Sequence, residues 1–258
     1  MHGVDWFMGG VEILKRSPSL MVLLGVGVIL GTVMISLIPG IGSFVVQLVA
    51  PVFVVGLAQF CARVEREPVG SGSSSWFSDV LVGFKGPVEK LVVVGVVQLL
   101  GSLGIVMLTL IPALVLIFLN LSSSDTGVSQ SIQQSGGVPP FQDLLVRFLV
   151  GGKAWLLFIS FFAFLFLYIP LSLATWFAPQ LIFFKNLAVR DALLLSLKGS
   201  FENIGAMGVY GAVWLLVGVM ATLPLALGWF VCVPILIGSS WVAYREIYGD
   251  STHPGHNA

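Results

Sequence analysis

The chain has 258 residues, of which 57% are hydrophobic and 9% are charged, and its mean hydropathy is +1.03. Soluble domains carry about 25% charged residues, so this composition excludes a soluble globular protein and indicates an integral membrane protein. The formal net charge is zero and no basic tract occurs, so nucleic acid is not an expected partner.

Apolar runs are the clearest feature along the chain. About 20 residues are needed to cross a hydrocarbon core as a helix, and we predict six transmembrane helices, none of which contains a charged residue or histidine: residues 19–38, 43–62, 91–119, 154–178, 204–226 and 229–243. The first run is longer than the apolar core of a signal peptide, about 7–15 residues, and no small-residue cleavage site follows it. The predicted fold class is therefore all-α, a polytopic membrane bundle within a single transmembrane domain at residues 1–248.

Short amphipathic segments precede the first, third and fifth runs, at residues 6–18, 76–90 and 189–203. Each holds an apolar residue followed by lysine: Leu14-Lys15, Phe84-Lys85 and Leu197-Lys198. Such segments lie in the headgroup plane with the apolar face dipping into lipid. We predict an internal repeat of three helical hairpins, each preceded by a cytoplasmic surface helix, at about residues 4–67, 76–178 and 187–248.

Prolines and glycines recur within the predicted spans. Pro51, Pro179 and Pro234 occupy the second span of each hairpin, and we predict helix bends there. Bent helices are where transporters place substrates, although prolines are also tolerated in spans as simple packing features. The GxxxG pair Gly27 and Gly31 predicts close packing of a neighbouring helix, as does a glycine stripe on the fifth span: Gly205, Gly208 and Gly211.

Basic residues predict the orientation. With a cytoplasmic N-terminus, ten of the twelve Lys and Arg residues fall inside, in accord with the positive-inside rule; the C-terminus is then cytoplasmic as well. Residues 120–140 are predicted as a flexible periplasmic loop and residues 249–258 as a disordered cytoplasmic tail. Residues 141–152 are either an outer surface helix or the head of the fourth span.

Four basic residues are candidate contacts for a lipid headgroup or ligand: Arg147 and Lys153 on the predicted outer side, and Lys85 and Lys198 on the inner side. For the outer pair, the alternative is that both side chains snorkel to the interface. The charged segment at residues 63–67 is predicted to be a solvated helix end with local ion pairs.

Catalytic chemistry is absent from the predicted spans. The three histidines are His2, His253 and His256, and no carboxylate lies in any span, so we predict no catalytic, metal or cofactor site and no enzymatic activity. Cys61 and Cys232 are predicted to be inert buried thiols.

Three segments carry a resemblance to known proteins: residues 37–42 (LIPGIG), 50–56 (APVFVVG) and 77–84 (FSDVLVGF). They resemble motifs of uncharacterised bacterial six-span inner-membrane proteins, the proteobacterial hypothetical transmembrane proteins. These are loosely similar to the YciC group and to the membrane domain attached to some glycerophosphodiester phosphodiesterases. The resemblance covers nearly the whole chain and implies a bacterial inner-membrane location. The phosphodiesterase catalytic domain has no counterpart in this sequence, so its activity is not implied.

The functional expectation is an integral inner-membrane protein that serves as a scaffold or accessory subunit in envelope biology. The alternative is a passive transporter, or one for lipids or small amphiphiles, with a cleft between the hairpins. The expected partners are membrane lipids and either another membrane protein or further copies of the same chain.

Overall fold

The computed structural model describes residues 2–66, 76–123, 154–223 and 227–249, and these residues form helices joined by short turns. In chain order the helices are α1 (His2–Arg16), α2 (Pro18–Ser36), α3 (Gly42–Arg66), α4 (Trp76–Val80), α5 (Val82–Lys85), α6 (Val88–Ser123), α7 (Ala154–Trp176), α8 (Ala178–Lys185), α9 (Val189–Glu202), α10 (Ile204–Thr222) and α11 (Trp229–Tyr248).

Six helical stretches in this part of the chain are long and apolar enough to cross a membrane: Pro18–Ser36, Gly42–Arg66, Val88–Val115, Leu157–Lys185, Ile204–Thr222 and Trp229–Tyr248. They coincide with the six predicted runs, so the all-α fold with six candidate spans is confirmed. A helix satisfies its own backbone hydrogen bonds, which is why an apolar run of this length adopts it in lipid.

Several boundaries differ from the prediction: α3 continues beyond residue 62 to Arg66, and the fourth span reaches Lys185 instead of residue 178. Helix α6 continues to Ser123, so residues 120–123 of the predicted loop are helical, because no Gly or Pro interrupts residues 113–123. Helix α11 extends to Tyr248 and so includes Arg245 and Glu246. The rest of the predicted loop, residues 141–152 and the tail beyond residue 249 lie outside the described residues.

The chain forms two compact units, Met1–Leu99 with Leu173–Ala258, and Leu100–Ser172. In the second unit α6 packs against α7, and the Ser160 hydroxyl donates a hydrogen bond to the Thr109 carbonyl. The single domain over residues 1–248 stays a prediction.

The core of the first unit lies towards the helix ends that carry basic residues. In α3, every buried residue except Gly42 falls within residues 51–62, near the end at Arg66. In α2, by contrast, the last buried residue is Gly25, and Leu30 and Met34 beyond it are more than half exposed. Lipid tails are as apolar as leucine, so such exposure is expected of surfaces that face lipid.

Helix α1 packs against protein along its apolar face. A Cβ atom placed on Gly10 would lie 2.6 Å from the Ile235 carbonyl oxygen, so the backbones of α1 and α11 are in direct contact. Trp6 and Ile13 are buried, and the Trp6 ring meets Tyr210 of α10 edge-on at 5.8 Å. The sequence did not predict this contact, which forms because glycine lets α1 approach α11 closely enough to bury Trp6 and Ile13. The position of α1 at the cytoplasmic surface stays a prediction.

The second amphipathic segment is broken at Leu81 into α4 and α5. Here too glycine mediates contact with a span: Gly56 of α3 abuts the Val80 carbonyl, and Gly83 of α5 abuts the Val52 carbonyl. The segment is therefore held against α3 through backbone contacts at both of its short helices.

Helix α9 turns a face of small residues towards the protein. Ala192, Ser196 and Gly199 are buried, whereas Leu194 is more than half exposed. The Ser196 hydroxyl donates to the Leu173 carbonyl (2.7 Å) and accepts from the Phe177 N–H (3.2 Å). It thus satisfies backbone groups at the break between α7 and α8, where helical hydrogen bonding is interrupted.

Candidate functional site

An apolar groove of about 440 Å³ lies between α2, α3 and α4, within the first compact unit. Its lining residues are Leu23, Leu24, Gly27, Val28, Gly31, Thr32 and Ile35 of α2, Val46, Val49, Ala50, Phe53, Val54 and Leu57 of α3, and Trp76, Phe77 and Val80 of α4. This volume falls in the range of ligand sites, about 300–1,000 Å³.

Glycine on α2 is what leaves the groove open. Gly27 and Gly31 are four residues apart and share one face of the helix, and no other part of the described structure comes within 4 Å of a Cβ atom placed on either. The predicted close helix packing at this GxxxG pair is therefore wrong for the described residues. The missing side chains form empty space, since α3 does not close over them.

The groove extends along most of α2 and is apolar along this length. On α2 its lining extends from Leu23 to Ile35, which is about 18 Å at 1.5 Å per residue. Its polar side-chain groups are the hydroxyl of Thr32 and the indole N–H of Trp76. No charged residue lines it, so its chemistry suits a hydrocarbon and offers no partner for an ionic group.

Helix α4 forms one end of the groove, and an ion pair holds it against α3. Asp79 of α4 pairs with Arg63 of α3, and both side chains are largely buried. Trp76 and Phe77 contact each other edge-on, with ring centroids 5.6 Å apart. The ion pair and the Gly56 contact hold these two aromatic residues at the mouth of the groove.

A charged cluster joins α1, α3 and α11 near the same helix ends. The Glu65 carboxylate accepts hydrogen bonds from Trp241 Nε1 (3.0 Å) and from Arg245 (2.5 Å). Arg16 donates to the Glu65 backbone carbonyl at 2.9 Å. Residues 63–67 were predicted as a solvated helix end with local ion pairs. The described residues show longer-range pairs, of Arg63 with Asp79 and of Glu65 with Arg245, because the ends of α4 and α11 meet the end of α3.

Glu246 supplies a second link between α1 and α11. It accepts a hydrogen bond from Trp6 Nε1 and pairs with His2, both at 2.8 Å. Its partners lie more than 200 residues away in the chain, and no local motif marks the contact. Composition around residue 246 therefore could not have predicted it.

The predicted headgroup contacts are dispersed. Arg147 and Lys153 lie outside the described residues. Lys85 is the exposed last residue of α5, and Lys198 is exposed on α9, with its ammonium 3.8 Å from Glu202. The structure does not bring Lys85 or Lys198 into the lining of the groove, and their role as lipid contacts stays a prediction.

The three predicted bend prolines occupy different environments. Pro51 lies inside α3 and Pro234 inside α11, whereas Pro179 stands at the start of α8, after the break that follows Trp176. A Cβ atom on Gly25 would lie 2.6 Å from the Pro234 ring, so that proline packs against α2. None of the three lines the groove, and the aligned prolines therefore did not indicate its location.

Ionisable groups offer little chemistry in the described part of the chain. No group of three His, Cys, Asp or Glu residues there is placed to hold a metal ion. Cys61 and Cys232 are both free and buried, as predicted. The Gln180 side-chain oxygen is buried without a hydrogen-bond partner among the described residues, a feature that periodicity in the sequence could not reveal.

The six membrane-length apolar helices among the described residues define this chain as a multi-pass integral membrane protein. It is 27% identical over 215 residues to a protein of Burkholderia thailandensis named as a probable inner membrane protein, and the match covers 82% of this chain and 72% of that relative. No protein-family model matches the chain, and no solved structure matches it. Together the helices and the relative support a bacterial inner-membrane protein.

Proposed function

We propose that this inner-membrane protein handles a lipid or small amphiphile without catalysing a reaction. The observation that carries the proposal is the α2–α3 groove, which is open, uncharged and lined almost entirely by apolar side chains. A hydrophobic site with few polar groups selects hydrocarbon and leaves little to orient an ionic substrate. Passive movement of the amphiphile fits the lack of charged residues in the predicted spans.

Lipid retention tests this function. The protein is purified in a mild detergent, washed extensively and examined by native mass spectrometry. We expect a phospholipid-sized adduct to remain on the protein after the wash. If the wash removed all lipid from this protein as fast as it does from an unrelated six-span protein, that result would contradict lipid handling. Proteoliposomes then show whether fluorescent phospholipid moves faster between leaflets when the protein is present.

A second candidate function is a scaffold or accessory subunit in envelope biology. It is favoured by the contacts of Glu65 and Glu246, which hold the ends of α1, α3 and α11 together in one surface. Such a surface suits a lasting protein partner, either another membrane protein or a second copy of this chain. Affinity capture from gently solubilised membranes should recover one stoichiometric partner, and repeated recovery of none would contradict this role.

The internal repeat forms part of the proposal. Equivalent contacts support it: α4 and α5 pack against α3, α9 packs at the α7–α8 junction, and α1 packs against α11. Each short helix thus meets the second span of the preceding hairpin, with the first copy meeting the last. The proposed orientation has both termini in the cytoplasm, as the distribution of basic residues favours. The similarity to the YciC group and to the phosphodiesterase membrane domain stays a prediction.

A further inference from the structure

We propose that the α2–α3 groove holds one acyl chain of a membrane phospholipid, with the headgroup at the α4 end. This inference rests on the proposed lipid handling and adds the class of ligand, its site and its direction. Four observations carry it: the groove's volume, its length, the distribution of charge, and the open space at Gly27 and Gly31.

The volume and lining of the groove fit a hydrocarbon chain. The groove of about 440 Å³ extends along about 18 Å of α2, and its lining is almost entirely apolar. A saturated chain can make carbon contacts of about 4 Å with such walls along its whole length.

The length fits one leaflet. Half of a hydrocarbon core is about 15 Å, and the lining of α2 from Leu23 to Ile35 is slightly longer than this. An acyl chain that enters at one end can therefore lie in the groove over its whole length. The long axis follows α2 and α3, so the chain keeps the direction it has in the bilayer.

The distribution of charged residues indicates at which end of the groove the phospholipid headgroup lies. No Asp, Glu, Lys, Arg or His occurs in residues 18–62, so the turn beyond Ile35 offers nothing to an anionic phosphate. At the other end the basic residues Lys15 and Arg16 close α1, one residue before the start of α2. Basic side chains at a membrane surface attract anionic headgroups. Tryptophan is typical of the headgroup level, and Trp76 lies at this end.

Photo-labelling tests the proposal on the whole protein in nanodiscs of phosphatidylethanolamine and phosphatidylglycerol. One probe is phosphatidylglycerol with a diazirine at the end of an acyl chain, and a second carries the diazirine next to the glycerol. Labelled peptides are mapped by mass spectrometry. We expect the chain-end probe to label residues near Ile35 and Val46 at least about fivefold more than the exposed apolar face of α10. The glycerol-proximal probe should label α4.

Filling the groove should abolish this preference. In the double variant Gly27→Leu and Gly31→Leu, the new side chains enter open space, so we expect normal folding and a loss of about fivefold in labelling of α3. The matched control is Gly208→Leu with Gly211→Leu, where added Cβ atoms also meet nothing within 4 Å but which lies outside the groove. The control should label α3 as the wild type does.

The outcomes separate this inference from the proposed function. If all lipid-facing helices were labelled equally, the probe would be reporting bulk lipid only, and the groove site would be overturned. A lipid retained in native mass spectrometry would in that case still support lipid handling. A reversed pattern of the two probes would overturn the direction. Cross-links between two copies through α2 would assign the groove to a dimer contact instead. A wild-type protein that retains no lipid would remove both proposals. The wild-type map decides even if a variant misfolds.

Discussion

The contact between α1 and α11 depends on the absence of a side chain at Gly10. A Cβ atom there would lie 2.6 Å from the Ile235 carbonyl oxygen, 2.7 Å from the Ser239 amide nitrogen and 2.8 Å from the Ser239 Cβ. Non-bonded carbon contacts are favourable at about 3.5–4.0 Å. Two of the three obstructing atoms belong to the backbone of α11, so Gly10→Ala must push α1 away from α11.

The cost follows from two opposing terms. Overpacking of this kind destabilises proteins by about 1–3 kcal/mol, and alanine recovers up to about 1 kcal/mol through its higher helix propensity. Because two of the obstructing atoms are backbone atoms, the upper part of the first range applies, about 2–3 kcal/mol, and we expect a net loss of about 1–2 kcal/mol while α1 stays attached. If α1 separates, the buried Trp6 and Ile13 become exposed, at about 1.5–3 kcal/mol for each large apolar side chain.

Thermal unfolding in detergent measures this loss. For a chain of this size about 1 kcal/mol corresponds to about 2–4 °C, so Gly10→Ala should lower the midpoint by about 2–8 °C. Amide hydrogen exchange should also rise in α1, because the helix loses its support. The control is Gly208→Ala, where the added methyl group meets nothing within 4 Å; its midpoint should not fall. Equal midpoints for the two variants would refute the packing argument.

Four further predictions follow from single contacts and from charge. Ser196→Ala should cost about 1–3 kcal/mol in thermal unfolding, since two backbone groups at the α7–α8 junction lose a buried partner; alanine at the exposed Ser19 should cost almost nothing, and equal effects would contradict this. Glu65→Gln should cost about 0.5–1 kcal/mol at low salt and less at high salt, as a partly exposed ion pair is screened; a loss independent of salt would argue against the pair. Gln180→Met should leave the midpoint unchanged or raise it, because the buried oxygen has no partner among the described residues; a large fall would disprove this. Green fluorescent protein fused after Ala258 should fluoresce, whereas alkaline phosphatase fused there should be inactive; active phosphatase would reverse the proposed orientation.

Hydropathy along the chain was sufficient to predict six spans and an all-α fold. Each apolar residue contributes to membrane insertion through its own transfer free energy, and a helix closes its hydrogen bonds within a few residues. Both properties depend only on neighbouring residues, so they can be predicted from the sequence one segment at a time. The positions of the short amphipathic segments could be predicted for the same reason. Their surroundings could not be predicted, since one face of α1 packs against α11 and the second segment is broken at Leu81.

Glycine shows most clearly what only the tertiary structure decided. Gly10 and Gly27 are both glycines within helices near the start of the chain. Gly10 lies against backbone atoms of α11, whereas Gly27 borders an open groove. The difference depends on which distant segment approaches each face. Glu65 likewise pairs with Arg245, 180 residues away. Such contacts depend on how several helices are placed relative to one another, and the periodicity within one helix does not encode that placement. The six spans were therefore determined by local sequence, and the groove by their packing.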